Sequence, residues 1–252
     1  MNPLYPVIYA LFGAVTGSFL NVCIMRIPKG ETFVTGRSHC PSCQRQLPAI
    51  DMIPVLSWLF LRGKCRFCRT AVSPQYPIVE AGSALIFYLC CLVKGPGAES
   101  VILCAFASLL TVAAWIDARY LYIPDGIHIL ILLLGLASII LCRRPGILER
   151  MAGSFICGGF LEILRILTRG GVGGGDVKLL ASSGFLLGAR AGMASVFMAY
   201  VIAGLWYLIP LLRGRVNGKT SAPMAPFFGL SLMVCGLWYS EIITWYLGLF
   251  LP

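Results

Sequence analysis

Eight long apolar segments constrain this chain more than any other feature: residues 5–25, 76–93, 100–116, 126–142, 150–168, 177–189, 191–212 and 226–250. Most approach the roughly 20 residues that carry an α-helix across a bilayer. Within them the apolar residues run continuously rather than alternating, which favours helices over strands. In lipid every backbone N–H and C=O needs a partner inside the protein, so only helices or closed barrels can span. Hydrophobic residues make up 58% of the 252, and the mean hydropathy of +0.86 lies outside the range of soluble domains. The expected fold is all-α and polytopic, with about eight transmembrane helices, the sixth of them short. Met1 to Pro6 carries no positive charge and leads into no small-x-small cleavage pattern, so 1–25 reads as a retained first span rather than a cleavable signal. Residues 26–75 form a polar module, and 76–252 form the helical membrane core.

The polar stretch holds Arg26, Lys29, Arg37, Arg45, Arg62, Lys64, Arg66 and Arg69 against Glu31 and Asp51. The excess of cations places it in the cytoplasm. Both termini then lie outside, and the loops at 117–125, 169–176 and 213–225 lie inside. The loop at 143–150, with Arg143, Arg144 and Arg150, runs against this topology. The net charge of +10 is read as membrane orientation, with the lipid bilayer and not nucleic acid as partner.

Inside this loop stand Cys40-Pro41-Ser42-Cys43 and Cys65-Arg66-Phe67-Cys68. Two C-x2-C pairs let four thiolates close on one tetrahedral Zn²⁺, which gives a small loop folding energy its own core cannot supply. A redox pair is the competing reading, but it usually accompanies a thioredoxin-like unit. Cys23, Cys90, Cys91, Cys104, Cys142, Cys157 and Cys235 fall in apolar segments as small buried hydrophobes. Ile53 to Leu61, between the pairs, is too short to span and is expected to lie at the membrane surface.

Asp117 and Asp176 are two of only ten acidic residues, and both sit at edges of apolar segments. An ionisable group at membrane depth is a functional candidate by default. The topology brings both to the cytoplasmic face, and two carboxylates sharing one site can serve as acid and base at once. Each alone could simply cap or end a helix, as could Asp125. Gly173, Gly174 and Gly175 before Asp176 tilt the balance, because a glycine run admits another chain closely. No Walker pattern is present to make it a phosphate loop. Lys178 could pair with a carboxylate or a substrate group, and Glu80 would need a partner if buried, with Arg119 or Arg165 at hand. Glu162 and Arg165, three apart, read as a local structural pair. His128 reads as core and His39 as loop, and no Ser-His-Asp set is recognisable. Trp206, Tyr207, Trp238, Tyr239, Trp245 and Tyr246 fit interface belts. On these residues alone, a proton- or cation-coupled transporter and a non-catalytic membrane assembly factor remain alternatives to an enzyme.

Taken in order, the motifs resemble the type IV prepilin peptidase family of GxGD membrane aspartyl proteases. They are Gly17-Ser18-Phe19-Leu20-Asn21-Val22, the two cysteine pairs, Tyr76-Pro77-Ile78-Val79-Glu80, Asp117 with Ile123-Pro124-Asp125, Gly173-Gly174-Gly175-Asp176-Val177-Lys178, and Pro226-Phe227-Phe228-Gly229. Arg119 departs from the pattern, standing where many members carry a second aspartate. The resemblance implies a bacterial inner-membrane endopeptidase with Asp117 and Asp176 as its catalytic pair. It implies cleavage of the basic leader of prepilins or pseudopilins after a glycine, on the cytoplasmic side. It further implies N-methylation of the new N-terminus with S-adenosylmethionine, and pilus or type II secretion machinery as partners.

Overall fold

The computed structural model describes residues 2–32, 38–142, 145–214 and 222–250. Arg37, Arg143, Arg144 and the side chain of Tyr246 lie outside the described residues. Among those described the chain is all-helical, 76% helix with no strands. In chain order the helices are α1 (Leu4–Arg26), α2 (Leu56–Phe60), α3 (Gln75–Lys94), α4 (Ala98–Tyr120), α5 (Asp125–Leu141), α6 (Ile147–Leu167), α7 (Gly174–Leu187), α8 (Ala189–Leu212) and α9 (Ala225–Phe250). Every apolar segment has become a helix. Five of them, α1, α3, α4, α8 and α9, are long and apolar enough to cross a membrane. By the same measure α5, at 17 residues, is shorter, and α7 has only 14.

Two compact units divide the chain, Met1–Cys104 and Ala105–Pro252. In the first, α1 packs along α3. Gly17 makes the approach possible: a Cβ there would lie 2.7 Å from the Glu80 Cα. Asn21, 1% exposed, pins the pair by donating to the carbonyls of Gly17 and Tyr76, each at 3.2 Å. The Gln75 side-chain amide returns a bond to Asn21 Oδ1 at 3.2 Å. The short helix α2 turns Leu56, Leu59 and Phe60 outward, as a surface-lying segment would.

In the second unit α7 packs against α5, α6 and α8, and α8 packs on α9. Small residues let these helices approach, as helix packing in lipid requires. A Cβ on Gly153 of α6 would collide with the Gly184 carbonyl of α7, and one on Gly192 of α8 would lie 2.6 Å from Cys157 Sγ. Gly188 separates α7 from α8 at φ +87°, a conformation L side chains rarely adopt, so α7 ends at Leu187, before the expected 189. Arg150 is not a loop charge. It lies in the first turn of α6, 1% exposed, and donates to Pro145 O (2.9 Å), Ser138 Oγ (2.6 Å) and Leu186 O (3.1 Å). Its guanidinium thus meets carbonyl groups at the C-terminal end of α7, where a cation is favoured. With Arg150 buried, one of the three charges that ran against the topology is no longer a loop cation.

Candidate active site

Asp117 stands in the last turn of α4 and is 6% exposed. Its Oδ2 accepts the Ala225 backbone N–H at 2.9 Å, and the Met224 N–H also donates to the carboxylate. Those donors exist because a helix begins here. The Met224 carbonyl accepts the N–H groups of Phe227 and Phe228, which closes the first turn of α9. The first N–H groups of a helix have no partner within it, and Pro226 has none to offer. Asp117 therefore caps α9 from a helix far away in sequence.

Asp176 lies in the first turn of α7, whose N-cap is Gly173. The Gly173 N–H donates to its carboxylate, while Oδ1 is buried without a protein partner. Asp176 is thus not the N-cap itself. The glycine run has a steric reason: a Cβ on Gly173 would come within 3.0 Å of Asp176 Oδ2, and one on Gly175 within 3.3 Å of Ile123 Cβ.

Both aspartates line one cavity of about 490 Å³, walled by the Gly173–Gly175 loop and by Ile123, Asp125 and Lys178. Lys178 Nζ reaches Asp125 Oδ1 at 2.7 Å across its rim. Glu162 and Arg165, paired at 3.4 Å, also line the cavity, so the pair expected to be purely structural stands at the site. Arg119 does not line it; its guanidinium lies 5.8 Å from the Trp115 ring centroid. Glu80 is not among the lining residues either. It is buried in the first unit, and its partners are the Val55 N–H at 2.6 Å and the Ser18 hydroxyl, not a cation. His128 is buried with neither ring nitrogen bonded, and His39 is exposed in the polar module. Two contributors were missed from sequence: the Met224 and Ala225 backbone, and Tyr207, whose phenol lies within electrostatic reach of Asp117. The Ala225-Pro226 pair, a helix-start signal, pointed to the first of them.

The polar module gathers its four cysteines. The Sγ atoms of Cys40, Cys43, Cys65 and Cys68 all lie within 4.8 Å of one another. Cys40 Sγ and Cys68 Sγ are 3.7 Å apart, close to the ~3.8 Å edge of a tetrahedron with Zn–S bonds of ~2.3 Å. The two C-x2-C turns are built alike. Cys40 N–H donates to Arg45 O and Cys40 O accepts the Gln44 N–H; Cys65 N–H donates to Thr70 O and Cys65 O accepts the Arg69 N–H. Gln44 and Arg69 both adopt left-handed φ, 58° and 60°. This repeat was not legible in the sequence beyond the cysteine spacing. Arg66 forks onto Asp51 with a shortest contact of 2.6 Å, tying the second turn to the segment before α2. The Thr70 hydroxyl and N–H hold the Cys68 thiol down at about 6, and the Cys43 N–H lowers Cys40. Cys43 is favoured as a thiolate by the Arg45 N–H, yet desolvation and the adjacent thiols push it up to about 11. A four-thiol set of this size fits a structural metal. Of the other cysteines, Cys142 is the half-buried one, just past α5; the rest are buried.

Residues 11–93 match the bacterial peptidase A24 N-terminal domain, and residues 104–208 match the type IV leader peptidase family. A prepilin leader peptidase/N-methyltransferase of Bacillus subtilis is 32% identical over 237 residues, covering 94% of this chain and 96% of its own. Its namesake from Aeromonas salmonicida is 28% identical, covering 97% of this chain and 94% of its own. An Escherichia coli protein, the type 4 prepilin-like proteins leader peptide-processing enzyme, is 32% identical, covering 89% and 91% respectively. No solved structure gives a significant match. The chain belongs to the type IV leader peptidase family, an enzyme of that family with the bacterial A24 N-terminal domain ahead of the peptidase region.

Proposed function

We propose that this chain cleaves the basic leader of type IV prepilins or pseudopilins after a glycine, at the cytoplasmic face of the bacterial inner membrane, with Asp117 and Asp176 as the catalytic pair. One observation carries the reading: two acidic residues remote in sequence line a single cavity beside a glycine loop. One carboxylate takes a proton from water, which attacks the scissile carbonyl. The other, protonated, gives its proton to the developing oxyanion; as the C–N bond breaks, the proton taken from water passes to the leaving amine and the second carboxylate takes back the hydroxyl proton. Gly173, Gly174 and Gly175 leave room for an extended peptide, and Lys178 with Asp125 flanks its entry. Glu80, proposed from sequence as a site-support residue, has its own role in the first unit, holding Val55 where the polar module meets α3.

In this reading Cys40, Cys43, Cys65 and Cys68 hold Zn²⁺, which when bound crosslinks the two turns and does no chemistry on the peptide. N-methylation of the new N-terminus with S-adenosylmethionine accords with the relatives' names. Methyl transfer and its donor rest on the relatives. Pilus or type II secretion machinery would receive the product.

The test is cleavage of a prepilin-type substrate by purified protein in detergent, read by mass spectrometry beside Asp117→Asn and Asp176→Asn. A product from wild type alone supports the reading, with about 14 Da added at the α-amino group when methyl donor is supplied. Full activity in either variant sinks the dyad.

A further inference from the structure

The two aspartates are held differently, and the difference divides their labour. We infer that Asp117 is the carboxylate that takes the proton from water and that Asp176 is the carboxylic acid that donates; this rests on the proposed peptidase reading. Two neighbouring carboxylates in a buried site share one negative charge, and it settles where donors already point. Asp117 receives two backbone N–H groups, from Ala225 at 2.9 Å and from Met224. Both belong to the opening turn of α9, where the helix dipole also favours an anion. Protonating Asp117 would replace the charged acceptor of these two N–H groups by a neutral, weaker one.

Asp176 is held by the Gly173 N–H alone, with Oδ1 buried and unpartnered. An orphaned buried acceptor is expensive, but an oxygen carrying a proton becomes a donor. With Oδ1 unpartnered, an anion on Asp176 is held by fewer donors than one on Asp117, so the shared proton settles on Asp176. Asp176 also lies in the first turn of α7, which favours a charge there; the single donor and the free oxygen outweigh it once Asp117 carries the anion. The other groups that face the pair do not reverse this. Tyr207 from α8 faces Asp117 and Tyr200 faces Asp176. Glu162 and Arg165 from α6 are paired with each other, as are Asp125 from α5 and Lys178 from α7. In the first step water gives its proton to Asp117 as its oxygen bonds to the carbonyl carbon, and the Asp176 proton passes to the carbonyl oxygen. One carboxylate and one carboxylic acid stand before and after, with their places exchanged.

Ala225→Pro tests this. Proline fits the first position of a helix and removes the one N–H that donates to Asp117 Oδ2. With wild type cleaving and both Asp→Asn variants inert, the peptidase reading stands on its own and the variant reports only the assignment. The acid limb of the kcat/KM–pH profile reports the base and the alkaline limb the acid. Losing one bond to a charged acceptor should move the acid limb upward by about one pH unit and leave the alkaline limb in place. Movement of the alkaline limb instead, or of neither, overturns the assignment. Should the variant fail to fold, binding decides. A substrate peptide with a hydroxyethylene group in place of the scissile amide should bind Asp176→Asn within about threefold of wild type, since an amide replaces a neutral donor. Asp117→Asn should lose at least tenfold, and the reverse order overturns the assignment.

Discussion

Lys178 Nζ and Asp125 Oδ1 meet at 2.7 Å, joining the N-terminal part of α7 to the first residue of α5 at the rim of the cavity that holds both aspartates. The side chains are 58% and 71% exposed, so solvent screens the pair and it contributes little to stability. Lys178→Ala should leave the unfolding midpoint in detergent almost unchanged. On the proposed reading, in which the pair flanks peptide entry, the same variant should raise KM roughly tenfold with kcat nearly kept, a loss of binding common to ground and transition states. Steady-state cleavage kinetics check this.

The four-cysteine cluster predicts about one metal ion per chain by elemental analysis. Cys40→Ser or Cys65→Ser should bring it close to zero and open residues 38–75 to limited proteolysis while the membrane helices stay folded. Thiolate ligands compete with protons, so the bound metal should be lost progressively as pH falls and regained as it rises. Retention of metal in both variants would rule the cluster out as the site.

Gly153 and Gly184 set how closely α6 approaches α7. Gly153→Leu has no space to enter and should destabilise the second unit by about 3 kcal/mol or more. Gly159, on the same helix, has open space around its missing Cβ. Gly159→Ala should be neutral or slightly stabilising in the same thermal unfolding experiment.

Arg150→Met should cost about 3 kcal/mol despite adequate bulk and apolarity. Removing the guanidinium leaves the Ser138 hydroxyl and the Leu186 and Pro145 carbonyls without their donor. Lysine retains the charge but not the planar fork, and should recover only part of the loss. Equilibrium unfolding in detergent measures both.

Hydropathy made the eight helices legible, because continuous apolar runs of this length have few alternatives in lipid. The cysteine pairs were legible for a similar reason: spacing alone dictates that four thiols can converge. What stayed hidden depends on contacts between helices. Nothing near Asp117 in sequence says that its partners are the N–H groups of Met224 and Ala225, since backbone donors leave no side-chain signature. Arg150 read as a loop cation because its solvation by helix-end carbonyls is invisible until α5, α6 and α7 assemble. Glu162 and Arg165 satisfied each other locally at i,i+3, which concealed that they also line the cavity.

The helix that carries Asp176 is 14 residues long. At 1.5 Å per residue it rises about 21 Å, roughly a third short of a ~30 Å hydrocarbon layer. A helix of that length standing upright cannot reach both surfaces, so its ends are recessed from at least one of them. On the proposed peptidase reading, a recessed Asp176 end would set the reaction in a hydrated dimple below the headgroups, one that excludes folded polypeptide and admits an unwound segment at the mouth of a membrane helix.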